Sequence, residues 1–245
     1  MTKDASKFTE KRRRGNIRRR FLQVLEYVVF CYDRLIEDNK NQNVSYCISH
    51  QRQHSLIHFE DWLKIRLVED YLQKQKLAFP GSFIQEIHFQ YETSKPYSDH
   101  TGRTRVDKID IFISNLGLQK YWSGTVEENR YFAIECKRLK NKSNNPSYIS
   151  DIEKFVDRQH QSRSPFEGMI GFVEKSSISM EDIIDDINGR LTNHSTIRTI
   201  QQLSPFPIHK TFKYCRFSKH EKIGFKGLTI EVYHLFLDYS DLIVD

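Results

Sequence analysis

The chain has 245 residues, 38% hydrophobic and 29% charged, with a formal net charge of +6. That length buries a proper core without disulfide or metal staples and accommodates one large domain or two small ones. No run of about 18 apolar residues occurs, which excludes a membrane-spanning helix, and the charged N-terminus lacks a signal-peptide apolar region, so the expected compartment is the cytoplasm. Four scattered cysteines, Cys31, Cys47, Cys136 and Cys215, form no CxxC pair and read as reduced thiols. Cys47, His50, His54 and His58 have spacings that zinc ligands can show, but no second ligand pair follows at a zinc-finger distance, and polar loop and helix residues are the default reading.

The charge is unevenly placed. Residues 1–20 hold nine Lys/Arg, Arg12, Arg13 and Arg14 among them, against Asp4 and Glu10, and the rest of the chain is close to neutral. This basic segment suggests phosphate contacts; a solubilising, partly disordered leader is the equal alternative. The expected division is therefore a leader over 1–20 and a single domain over 21–245.

Beyond the leader, Phe21, Val24, Leu25, Val28, Tyr32 and Leu35 recur at helical spacing and predict a core-facing helix from about Arg18 to Asp38. Phe59, Leu63, Leu67 and Tyr71 predict a second helix over about Ser55–Gln75, ended by the turn signal "FPGS". The period then changes. "FIQEIHFQYE", "RVDKIDIFI" and "YFAIECK" predict three strands. "YISDIEKFVDRQHQ" predicts a helix, "GMIGFVE" an interior strand apolar on both faces, and "SMEDIIDDINGRL" a helix capped by Ser179 and closing near Gly189. "KTFKYCRF" and "LTIEVYHLFLDY" predict a C-terminal β-hairpin, set apart by Pro205 and Pro207. The fold class is mixed α/β. No GxGxxG or GxxxxGK[ST] motif is present, which argues against a nucleotide-phosphate cradle.

The chemistry concentrates in two strands. Glu135 and Lys137 are two apart and share a face, while Ile134 and Cys136 face the other way. If the preceding strand is a neighbour, its Asp110 sits beside Glu135. Two converging carboxylates repel, a divalent cation removes the repulsion, and hard oxygen ligands favour Mg2+ or Mn2+. A nearby lysine orients or helps deprotonate a metal-bound water and offsets charge developing on phosphorus. These are the parts of metal-assisted phosphodiester hydrolysis. Lys154, Arg158 and Arg163 on the following helix are available for phosphate contacts.

"VDKIDIFI" followed by "FAIECKR" resembles the PD-(D/E)xK, or restriction-endonuclease-like, nuclease superfamily. Its α-β-β-β-α-β core matches the predicted order from Ser55 to about Glu174, roughly half the chain, with an N-terminal helix and a C-terminal hairpin added. Glu135 and Lys137 match the ExK motif; Ile109, and not a proline, precedes Asp110. Asp107 is the competing first-motif carboxylate, placed here in a turn and facing away from Asp110. The resemblance implies that Asp110 and Glu135 bind Mg2+ or Mn2+ together with the backbone carbonyl of Cys136, and that Lys137 positions water. It further implies an assisting carboxylate from the first helix, Glu60 or alternatively Glu69, and a Gln159 able to reach the site. The implied activity is DNA cleavage, with bacterial defence systems as a family analogy. Cleavage of both strands would need a homodimer or sequential nicks, and a defence-system partner protein is compatible with the same analogy. A non-catalytic nucleic-acid or partner-binding module and an RNase on the same scaffold are the alternatives.

Overall fold

The first helix runs further than its apolar stripe requires. In a computed structural model, which describes residues 3–114, 131–158, 166–174, 179–210, 212–225 and 227–244, with side chains from Arg14 onward, α1 spans Lys3–Gln42. The helix takes in the basic residues from Lys3 onward. From Ile17 onward the stripe packs as predicted: Phe21, Val24, Leu25, Val28, Tyr32 and Leu35 are all buried. After β1 (Tyr46–Cys47) and α2 (Ile48–His54), α3 (Phe59–Arg66) passes without a break into a π-helical turn, Leu67–Leu72. The wider turn lets the adjacent pairs Leu67/Val68 and Tyr71/Leu72 all reach the core.

The stretch expected to open the first strand divides in two. Ser82–Glu86 forms a short helix, α4, and β2 begins only at His88 (His88–Ser98). Phe83 and Ile84 are adjacent and both buried, which a strand facing a single core cannot achieve. β3 (Thr104–Ser114) follows β2 across a tight turn. The Asp99 carboxylate accepts from the Thr101 and Arg103 amides and from Arg105 in that turn. Asp107 thus lies within the strand, not in a turn as expected.

Next come β4 (Phe132–Leu139), α5 (Asn145–Asp157), β5 (Phe166–Val173) and α6 (Met180–Thr192). Ser179 caps α6, accepting from the Asp182 amide at 3.0 Å, and the helix runs through Gly189 to Thr192. An unanticipated edge strand, β6 (Thr199–Pro205), precedes the C-terminal hairpin of β7 (Cys215–Glu221) and β8 (Thr229–Asp238). Pro205 ends β6, where an edge tolerates a missing donor. β9 (Ile243–Val244) pairs in parallel with β1.

The seven-stranded mixed sheet has the order β2-β3-β4-β5-β8-β7-β6. β4, β5 and β8 run parallel at its centre, and antiparallel pairs flank them. Alternation along the strands builds two cores. Phe132, Ile134, Cys136, Phe166, Ile170 and Tyr233 meet α1 and α3 on one face. Met169, Val173, Val232 and Phe236 meet α5 and α6 on the other. No helix among the described residues is long and apolar enough to cross a membrane.

β5 is buried throughout, as its unbroken apolar run predicts. Its glycines are set by close approach: a Cβ on Gly171 would lie 2.6 Å from Leu139 Cδ1 and 3.0 Å from Phe236 Cδ1. Gly171→Ala is expected to cost about 1–3 kcal/mol through overpacking, read as a lower denaturant midpoint with an unchanged m-value.

The second core also encloses a polar chain. Ser218 Oγ lies 2.8 Å from Nε2 of both His220 and His234, and His234 Nδ1 lies 2.8 Å from the Tyr148 hydroxyl. Burial lowers His220 to about 4 and holds His234 well below the usual histidine range. The unfolded chain protonates both imidazoles near pH 6.5 while the folded chain does not, so their stabilisation is complete above that pH and is lost as pH falls toward 4. Denaturant midpoints at pH 7.5, 6 and 5 should decline, and His220→Gln/His234→Gln should flatten that decline; an unchanged slope in the double variant would refute the assignment.

Candidate active site at the fork between β3 and β4

Among the described residues, β3 and β4 pair through only Ile111↔Ile134, Phe112↔Ala133 and Ile113↔Phe132. The same register would next set Asp110 opposite Glu135, then Ile109 opposite Cys136 and Asp107 opposite Arg138. The ladder stops instead, while β3 continues to pair with β2 as far as Thr104↔Ser98. β4 is left with edge amides that must find acceptors. Two carboxylates supply them: Asp110 Oδ2 accepts from the Cys136 amide and Glu60 Oε2 from the Arg138 amide, both at 2.8 Å. Glu60 comes from the first turn of α3, where an acidic residue also suits the helix N-terminus.

Five carboxylates crowd around two lysines here. Lys137 Nζ lies 3.2 Å from Asp151 Oδ2 and 3.4 Å from Glu60 Oε1. Lys64 Nζ lies 2.8 Å from Asp61 and from Asp110, and 3.6 Å from Glu92. Lys108 and Lys154 touch Glu92 and Asp151 from outside and are themselves solvent-exposed. Burial disfavours the charge of Lys137, but Asp151, Glu60 and Asp110 outweigh it and hold the ammonium above its ordinary range. The same balance, with Asp110 foremost among the acids, raises Lys64.

Glu135 shares a sheet face with Lys137 but keeps different company. It is buried, 3.7 Å from the Arg158 guanidinium, which is also bonded to Asp107. Arg158 therefore faces inward at the end of α5, its guanidinium 5.6 Å from the Tyr97 ring and 5.3 Å from that of Phe155. Asp110, Glu60, Cys136 and Lys137 meet at the fork; Glu135 meets Arg158 and Asp107 beside it. Cys136 is fully buried and burial pushes its thiol well up, which suits a core side chain and not a nucleophile. Its amide faces the fork, and by regular strand geometry its carbonyl faces the same side.

The other predicted residues are dispersed. Glu69 accepts from the Tyr91 hydroxyl at 3.1 Å. Lys154 is exposed and paired with Asp151. Arg14 pairs with Glu231 and lies 5.7 Å from the Phe166 ring centre. The side chains of Arg12 and Arg13, together with Gln159 and Arg163, lie outside the described residues. Cys47 Sγ accepts from the His50 amide at 3.4 Å, an N-cap of α2.

Sequence reasoning missed Asp151, Lys64 and Glu92. Asp151 had a signal: it is an acid on the buried face of α5, next to Ile152 and one turn after Tyr148. Lys64 is one turn after Glu60 but flanked by Leu63 and Ile65, so it reads as a surface lysine. Glu92 carries none, because its position depends on a left-handed backbone, φ 54°, inside a strand.

The available donors are hard oxygens: the carboxylates of Asp110, Glu60, Asp151 and Glu135, and the Cys136 carbonyl. Among the described residues, no three His, Cys, Asp or Glu side chains are grouped to hold a metal. The donor set still fits Mg2+ or Mn2+ in kind, since Mg2+ binds through one or two carboxylates and retains waters. The chain matches no protein-family model, no curated protein and no solved structure.

Arg158→Met removes the cation between Asp107 and Glu135. It is expected to destabilise the fold by about 3–5 kcal/mol at pH 7, with part of the loss recovered in Arg158→Met/Asp107→Asn, as measured by urea denaturation.

Proposed function

We propose that the protein is a metal-dependent nuclease that hydrolyses DNA phosphodiester bonds at the β3–β4 fork. The observation that carries this reading is the pair of carboxylates, Asp110 and Glu60, on the vacated amides of β4, with the Lys137 ammonium beside them. Asp110, Glu135 and the Cys136 carbonyl would hold Mg2+ or Mn2+, with Glu60 assisting. The bound ion supplies Lewis acidity and a water of lowered pKa.

The remaining work falls to the chain. Splaying β3 from β4 opens the sheet where a phosphodiester must enter. The two amide hydrogen bonds fix the Asp110 and Glu60 carboxylates in place before substrate arrives. Lys137, held charged by its acidic neighbours, offers a positive group for the negative charge that grows on the non-bridging phosphate oxygens. The basic segment of α1 and the exposed Lys154 favour a polyanionic substrate. The resemblance of the Asp110 and Glu135/Lys137 spacing to the PD-(D/E)xK nucleases adds DNA as the substrate class.

One observation favours a second reading. Glu135 is buried against Arg158 instead of facing Asp110, as suits a scaffold that binds nucleic acid or a protein partner without cutting.

Purified protein incubated with plasmid, linear duplex and single-stranded DNA should cleave with Mg2+ or Mn2+ and stop in EDTA. Glu135→Ala and Lys137→Ala should each abolish cleavage while circular dichroism stays unchanged, and Glu60→Gln should slow it. Wild-type cleavage by either alanine variant would end the assignment. DNA binding that is equal with and without EDTA, and never followed by cleavage, would establish the binding module. Parallel RNA incubations separate a ribonuclease.

A further inference from the structure

A cavity of about 610 Å3 opens between the C-terminal end of α1, β1 and α3, and none of the fork residues lines it. Its size falls within the roughly 300–1,000 Å3 of small-molecule sites. Its walls are aromatic: Tyr46 of β1, Trp62 of α3 and Tyr71 of the π-helical turn. The Tyr46 and Trp62 rings stand perpendicular, at 86°, with their centres 5.2 Å apart.

Two polar groups of this lining are unmatched. The first is the Asp38 carboxylate. Its Oδ1 accepts from the Gln42 side-chain amide at 3.2 Å and its Oδ2 from the Tyr71 hydroxyl at 3.0 Å. Both donors are neutral, and among the described residues no lysine, arginine or histidine lies within ion-pairing distance of Asp38. The second is the Tyr46 hydroxyl. Tyr46 is 3% exposed, yet among the described residues no side chain or backbone group hydrogen-bonds its hydroxyl. Burial and the Asp70 charge push that hydroxyl above its ordinary range, and Arg66 and Asp38 are the other charges that act on it. All three charged groups line the cavity, so the hydroxyl end of the ring faces it. A hydroxyl on a buried ring needs a partner there.

The cations at this end of the fold are already committed. Arg66 Nε pairs with Asp70 Oδ2 at 2.8 Å and Lys74 with Asp70 Oδ1 at 3.2 Å. Asp70 is thus more than neutralised, and Asp38 is the carboxylate of the lining without a cation. An ammonium supplies what is missing: positive charge for Asp38, an N–H for the Tyr46 oxygen to accept, and attraction to aromatic walls. We propose that this cavity binds a small organic cation, a primary alkylammonium whose N–H groups meet Asp38 and Tyr46 while its carbon chain lies against Trp62. A carboxylate or phosphate ligand would meet Asp38 as a like charge, and a quaternary ammonium has no N–H to give. The inference stands apart from the nuclease reading, and its test uses neither nucleic acid nor metal.

Isothermal titration of the full chain with n-pentylammonium chloride, at pH 7 and constant ionic strength, tests it, with 1-pentanol as the neutral isostere and melting temperatures recorded for each variant. Wild type is expected to bind pentylammonium with a Kd on the order of 1 mM or tighter, and 1-pentanol about tenfold more weakly or worse. Asp38→Asn keeps an acceptor for Tyr71 but removes the charge, and should weaken pentylammonium about tenfold while leaving pentanol unchanged. Tyr46→Phe keeps the ring and should weaken pentylammonium on the order of fivefold. No saturable binding by wild type, equal affinity for the two probes, or wild-type affinity in a folded Asp38→Asn would overturn the proposal. Should Asp38→Asn fail to fold, Tyr46→Phe decides: weakened binding supports the site, and wild-type affinity overturns it. Nα-acetyl-lysine amide, titrated in parallel, separates the sources of the ammonium. Weaker binding than pentylammonium assigns a free amine and tighter binding a lysine side chain, and either supports the ammonium site.

Discussion

The amide edge of β4 is the constraint from which the rest of the site follows. A strand cannot leave its neighbour without orphaning main-chain donors, and each orphan needs an acceptor. Here the acceptors are the carboxylates of Asp110 and Glu60. A carboxylate on an amide makes a stronger hydrogen bond than a carbonyl does, so the fork is held by the same groups that give it chemical character. Those charges in turn demand counter-charges in a partly buried place, and Lys64 and Lys137 answer that demand. Backbone satisfaction, charge compensation and a candidate site are one arrangement seen at three levels.

Much of the fold was legible because most of its elements follow one periodicity each. The α1 stripe from Phe21 to Leu35 and the unbroken apolar run of β5 declare their burial directly. The failures have local causes. The Phe83–Ile84 pair could be buried only by a helical turn. β6, with exposed Ile200, Gln201 and Gln202, lacks the buried alternation that marks a strand. The long reach of α1 toward Lys3 is carried by charged residues, which have no stripe to read.

The candidate site was legible to the extent that its residues sit on those strands. Glu135 and Lys137 do share a face, but the side chains that decide their environment come from elsewhere in the chain. Arg158 takes Glu135 from the end of α5, and Asp151 takes Lys137 from the same helix. Spacing along a strand cannot report such partners. It also cannot report Glu92, whose reach to Lys64 depends on a backbone conformation that glutamate rarely adopts.

The short β3–β4 ladder has a mechanical side. Among the described residues, the β2–β3 hairpin is zipped to itself along its length but paired with the rest of the sheet only at Ile111–Ile113. Its far end is pinned as well: the His100 amide donates to Asp157 at 3.2 Å, and Arg158 of the same helix end holds Asp107. The hairpin is therefore a beam clamped at both ends, and the opening beside Asp110 keeps a set width.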